Sequence, residues 1–117
     1  MRGKAVFQTV KYNHVTLIGR AGADPSMRYA PDGKAHTQFN IALSSDYKDS
    51  SGEWKERTDW ITLKLWDKTA ERAAESIKKG NLIPIDGRLK HDQWKDSQTG
   101  EQKDFVYVAV SYWKHVE

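Results

Sequence analysis

The chain has 117 residues, 38% hydrophobic and 30% charged, with a net charge of +3 and no cysteine. That suffices for one domain with a single core and excludes disulfides, thiolate metal sites and a cysteine nucleophile. No apolar run approaches the ~20 residues of a membrane span, the start has no continuous apolar stretch of a secretory signal, and so modest a charge requires any nucleic-acid partner to be held by local charge and stacking.

Residues 1–12 show no clean period and read as an arm or short leading strand, with the folded domain over 13–117. Residues 14–20 form a first strand with Val15 and Leu17 on one face. The connection over 21–33 concentrates turn chemistry in Gly22, Pro25, Pro31, Asp32 and Gly33. Residues 34–46 make a second strand, where Thr37, Phe39, Ile41 and Leu43 alternate with Gln38, Asn40, Ala42 and Ser44. That parity turns Tyr47 inward, so a bend or bulge is expected near Ser44 and Ser45. Residues 46–57 read as a protruding hairpin tipped by Ser51 and Gly52. It carries Tyr47 and Trp54 interleaved with Lys48, Lys55 and Arg57.

The third strand, over 58–67, puts Ile61, Leu63 and Leu65 on one face and Trp60, Thr62, Lys64 and Trp66 on the other. Flat rings beside positive charge suit stacked bases and their phosphates. Tryptophans packed beneath a second layer give the same pattern, and the strand by itself leaves both readings open. A helix follows, capped by Asp67 or Thr69, with a stripe of Ala70, Ala73, Ala74 and Ile77 and with Gly80 as its left-handed stop. Its small apolar face suits a plug rather than a layer. The fourth strand covers 81–89, its ladder limited by Pro84 and its path free to bend at Gly87. A second polar hairpin over 90–103 carries Trp94 and turns at Thr99 and Gly100. The fifth strand, 104–116, alternates Val106, Val108 and Val110 with Phe105, Tyr107 and Ala109. Three strands, one short helix and two strands, with long polar loops, is the order of an OB-fold. This is an all-β, five-stranded Greek-key barrel with its helix between strands three and four.

Catalysis finds no support in the residues. Asp46, Asp49, Glu53 and Glu56 are interleaved with Lys48, Lys55 and Arg57 on a solvated hairpin, not gathered to hold metal ions. His14, His36, His91 and His115 lack ligand spacing, and neither a Gly-rich phosphate loop nor a nucleophile motif is present. No enzyme activity, cofactor or metal is expected.

The run from Val15 to Pro25 (VTLIGRAGADP) resembles the first strand and loop of bacterial-type single-stranded-DNA-binding proteins. So do Arg28-Tyr29, Pro31-Asp32-Gly33, Gly52-Glu53, Thr58-Asp59-Trp60, Lys79-Gly80 and Asp86-Gly87-Arg88-Leu89, in order and with near-constant spacing. The stretch from Trp66 to Gly100 is most similar to cyanobacterial and plant-organelle members. The resemblance implies an OB-fold that wraps single-stranded DNA without reading its sequence, in replication, recombination and repair. It places the aromatic platforms at Tyr47, Trp60, Trp66 and Trp94, and phosphate contacts at Arg28, Lys55, Lys68 and Lys90. The residue pattern adds Trp54 as a further platform and Lys48, Arg57 and Lys64 as further cations. A homotetramer is implied, with a dimer as the alternative because Ile61 replaces the family's usual histidine. The location implied is the bacterial cytoplasm with its nucleoid, or a mitochondrial or plastid nucleoid. The Gly-rich tail with an acidic tip, through which such proteins recruit repair enzymes, is not in the sequence. Asp92 and Gln93, standing where members tend to be basic, favour the other reading, an OB-fold accessory or regulatory module binding RNA or mainly a protein partner.

Overall fold

The computed structural model describes residues 11–116; most of the expected 1–12 arm, and Glu117, lie outside the described residues. The order is β1 (Val15–Ala21), β2 (Arg28–Tyr29), β3 (Ala35–Lys48), β4 (Trp54–Trp66), α1 (Asp67–Ser76), β5 (Leu82–Lys95) and β6 (Gln102–Trp113). The five long strands are neighbours in the order β1-β5-β6-β4-β3, and a second β1–β3 pairing closes them into a barrel. All pairs are antiparallel except β4 with β6, which is parallel at Leu63–Val108 and Lys64–Ala109. The expected five-stranded OB-fold barrel is therefore present, with its helix between the third and fourth long strands. The two-residue β2, inside the expected 21–33 connection, pairs with β3 through Arg28–His36 and Tyr29–Ala35.

Period-2 alternation builds the core. Phe39 and Ile41 of β3, Leu63 and Leu65 of β4, Ile83 and Ile85 of β5 and Val108 and Val110 of β6 are buried together. Each fully buried aliphatic or aromatic side chain contributes roughly 1.5–3 kcal/mol of transfer free energy. Helix α1 closes one end of this core, burying Ala70 and Ala73, with Ile77 just beyond its last turn. Trp113 is also buried. Its indole Nε1 donates to the Thr69 carbonyl at 3.2 Å, and the Arg72 guanidinium lies 4.3 Å from its ring centroid.

Three local expectations are corrected. β3 and β4 keep one register from His36–Trp66 to Lys48–Trp54, with no bulge at Ser44 or Ser45. Tyr47 is exposed because the hairpin runs off the barrel, not because the strand turns over. The helix has Trp66 as its N-cap with no side-chain capping bond, and Asp67 has φ 54°. Neither Asp67 nor Thr69 caps it. At the other end Ile77 leaves helical geometry to enter the core, so the helix stops before Gly80. The left-handed Gly80 (φ 91°) instead sits in the turn closed by Asn81 N–H to Lys78 O, and its own N–H donates to Ala21 O at 2.7 Å.

Strands β3–β4 and β5–β6 continue past the closed barrel as two hairpin arms. Because β4 and β6 are parallel neighbours, their N-terminal halves leave the barrel in the same direction. At the base of the second arm, β5 and β6 shift register between Asp86 and Gly87. A side chain at 87 would strike the Ala109 carbonyl there.

Candidate nucleic-acid interface

The β3–β4 register decides which side chains share a face, since directly opposed residues point the same way. The outer face of the barrel carries the cross-strand pairs His36–Trp66, Gln38–Lys64, Asn40–Thr62, Ala42–Trp60 and, further out on the arm, Lys48–Trp54. Arg28 extends the first pair into a row, Arg28–His36–Trp66, across three strands. Trp60 and Trp66 are six residues apart on one strand, roughly 20 Å at ~3.3 Å per residue.

The second arm continues this face. Its pairs Lys90–Tyr107, Asp92–Phe105 and Trp94–Lys103 lie on the same side as Lys64, which opposes Ala109 across the parallel β4–β6 junction. The fractional exposures are 67% for Trp54, 58% for Trp60, 39% for Trp66, 48% for Trp94 and 47% for Tyr47. These values decide the question the strand pattern left open: none of the five predicted platforms is a core residue in this chain.

The five do not share one face. Trp54, Trp60, Trp66 and Trp94 lie on the outer face, whereas Tyr47 opposes Lys55 on the reverse face of the β3–β4 arm, with Arg57 one pair away. The predicted cations divide likewise. Arg28, Lys48, Lys64 and Lys90 accompany the indoles, and Lys55 and Arg57 accompany Tyr47. Lys68, on α1, lines a separate cleft of about 370 Å³ with Tyr29, Lys34 and Glu71.

Several of these groups are already engaged. The Lys48 ammonium lies 5.5 Å from the Trp54 ring centroid. Lys55 lies 3.9 Å from both Asp49 and Glu53, and Arg57 donates to Asp59 at 3.2 Å. Lys64 is the most enclosed, 4.1 Å from the Tyr107 ring centroid and 3.9 Å from Asp92. Burial, with Asp92 adding its charge and a hydrogen bond, pushes the Tyr107 phenol above its ordinary value.

Between the loop after β1 and the outer face of β3 run two adjoining clefts. One, about 520 Å³, is lined in part by Gly22, Asp24, Asn40 and Trp60; the other, about 290 Å³, by Ser26, Arg28, His36 and Gln38. They share Ser26 and Gln38 and so connect Trp60 to the Arg28–His36–Trp66 row. Thr37, buried beneath, ties the loop down by donating to the Ser26 carbonyl at 2.7 Å. Asn40 Oδ1 accepts from Thr62 Oγ1 at 2.8 Å, leaving the Asn40 amide hydrogens as donors for this groove. Sequence reasoning did not single out Gln38, Asn40 or His36. Their outward parity was visible, but the loop that makes a groove of them is a long-range contact. Among the described residues, no group of three or more His, Cys, Asp or Glu side chains is placed to hold a metal ion.

Residues 12–116 match the model of the Single-strand binding protein family. The chain is 40% identical over 98 residues to Single-stranded DNA-binding protein 1 of Nostoc sp., covering 84% of this chain and 77% of that protein. It is 41% identical over 91 residues to Single-stranded DNA-binding protein 1 of Chlorobaculum tepidum, covering 78% and 56% respectively. Among solved structures, a deletion mutant of the single-stranded DNA binding protein from Thermus aquaticus matches with a TM-score of 0.79 at 35% identity. That match covers 91% of this chain, which spans about half (51%) of the Thermus chain. The Plasmodium falciparum SSB in complex with ssDNA matches in fold, with a TM-score of 0.81 at 23% identity over 95% of this chain and 100% of that one.

Proposed function

This chain belongs to the single-strand binding protein family, and we propose that it binds single-stranded DNA without sequence preference. Bases stack on Trp54, Trp60, Trp66 and Trp94, with Tyr47 serving a strand that passes behind the first arm. Phosphates are met by Arg28, Lys48, Lys55, Arg57, Lys64, Lys68 and Lys90. The observation that carries this reading is the exposure of four indoles on one cation-bearing face. An indole costs stability when left in water, and every base has a π-face to cover it, at roughly 1–3 kcal/mol per stack. The binding domain is residues 13–117. The role is protection of single strands during replication, recombination and repair, without a catalytic step. The place is a bacterial nucleoid, or the nucleoid of a mitochondrion or plastid.

One track of this length calls for several copies to wrap a strand, and a homotetramer is the assembly proposed. The test of binding is a tryptophan-fluorescence titration with oligo(dT), oligo(U) and duplex DNA at two salt concentrations. Oligo(dT) should quench strongly, oligo(U) less and duplex little. Trp60→Ala should weaken oligo(dT) binding by about 5- to 150-fold, the equivalent of one stack. No quenching by any of the three in a folded sample would sink this reading. Stronger quenching by oligo(U) would turn it to an RNA-binding module.

A further inference from the structure

At the fork where the two arms part, one carboxylate holds two groups. Asp92 Oδ1 accepts from the Tyr107 hydroxyl at 3.4 Å, and Asp92 Oδ2 lies 3.9 Å from the Lys64 ammonium. Lys64 in turn lies over two rings of β6, 4.1 Å from the centroid of Tyr107 and 5.6 Å from that of Phe105. The two rings are themselves stacked at 6.1 Å. The cluster joins β4 to β5 and β6 just where the β4–β6 ladder ends, beside Lys64. Lys64 also lies on the outer face between Trp60 and Trp66, on the track along which a strand's phosphates would pass.

We propose that Asp92 is a built-in competitor for Lys64, an acidic latch that a phosphate of the bound strand must displace. This rests on the single-strand reading of the same face. A lysine ammonium has three donors and no preferred direction. It can therefore turn from Asp92 and the face of Tyr107 to a phosphate. The exchange swaps one anion for another around a partly enclosed cation. Lys64 then contributes less net affinity than a free lysine, and its counterion release is partly cancelled because Asp92 already serves as its counterion. The latch sets the grip of the face at its centre while leaving the stacking rings untouched. Tyr107 is a positioning residue here, holding Asp92 in place rather than meeting the DNA.

Removing the competitor should strengthen binding. Asp92→Asn should tighten oligo(dT) binding about threefold to fivefold at low salt, the scale of one exposed ion pair. It should also steepen the log–log salt dependence by about 0.7, one phosphate equivalent on a single strand. In a Lys64→Gln background the same substitution should give neither gain. An equal gain with and without Lys64 would mean that Asp92 acts only as a nearby negative charge, and would overturn the latch. A second measurement uses the unaltered chain. The Lys64 ammonium lies over the Tyr107 ring in the free protein, so the resonances of the methylene next to it should move on saturation with oligo(dT). Unmoved resonances in a sample whose tryptophans are quenched would refute the displacement and spare the binding reading. Absent quenching would refute both.

Discussion

Gly22 shows how a residue with no functional group shapes the interface. An added Cβ there would lie 2.7 Å from Trp60 Cζ3 and 3.2 Å from the Asn40 carbonyl, which also accepts the Gly22 N–H at 2.8 Å. The backbone is fixed by that hydrogen bond, so an alanine at 22 must push the indole aside. Gly22→Ala should therefore weaken oligo(dT) binding and shift the Trp60 emission while leaving the far-UV spectrum unchanged. Its ceiling is the loss of one stack, roughly 1–3 kcal/mol. Unchanged affinity would show that the Trp60 pose over Gly22 is not the binding pose. The sequence made the side of the strand on which Trp60 lies readable, because parity is a local property. Its support by a glycine 38 positions earlier was not readable, because nothing in the local pattern links the two.

The two hairpin tips are built alike, and their chemistry was legible before their geometry. Asp49 accepts from the N–H groups of Ser51 and Glu53, both at 2.9 Å, and Asp96 from those of Gln98 and Thr99 at 2.8 and 3.1 Å. Each tip then has a left-handed glycine, Gly52 (φ 87°) or Gly100 (φ 76°), followed by a Glu and a Lys. Lys103 lies 3.9 Å from Asp96 and 3.8 Å from Glu101, as Lys55 lies against Asp49 and Glu53. Hydrogen bonding to Glu53 and Ser51 holds the Asp49 carboxyl below its ordinary 3.8. A depressed carboxyl stabilises the folded tip above that value, and the contribution is lost as pH falls through the folded pKa. Carbon-detected NMR should find Asp49 titrating below 3.8, with the Glu53 amide shift following the same curve. Titration at or above 3.8 would mean that the tip bonds do not persist in solution. The Asp86 carboxyl is depressed in the same direction, first by Thr16 and then by His14, which ties β5 to β1. Turn signals and strand parity were thus readable because they are local. The helix ends were not, because the pull of Ile77 into the core decided where the helix stops.

The two arms give the chain an open shape. Its radius of gyration is 18.2 Å, against about 13 Å for a compact domain of this length. Ile18, Leu89, Val106 and Tyr112 are all more than half exposed. Leu89 and Val106 have the parity of core residues but sit on the second arm, beyond the closed barrel. Strand β1 pairs with β5 along its length but with β3 only at Arg20 and Ala21. Among the described residues, nothing pairs with the other edge of residues 15–19, and Ile18 is exposed beside Pro84 across the ladder. An unpaired edge beside an exposed isoleucine is a template for another strand, and β1 of a second copy is the strand it would take in the proposed homotetramer. Light scattering at micromolar concentration should give four times the 13.4 kDa chain mass, or twice that mass if the assembly is a dimer. Ile18→Lys places a charge beside the open edge and should lower the mass measured at the same concentration. If the assembly persists unchanged in that variant, the copies meet elsewhere, with the exposed face of the second arm as the next surface to alter. A strict monomer in the unaltered chain would leave one short track per molecule. Wrapping of a strand by joined copies would then be ruled out, even with every stacking contact intact.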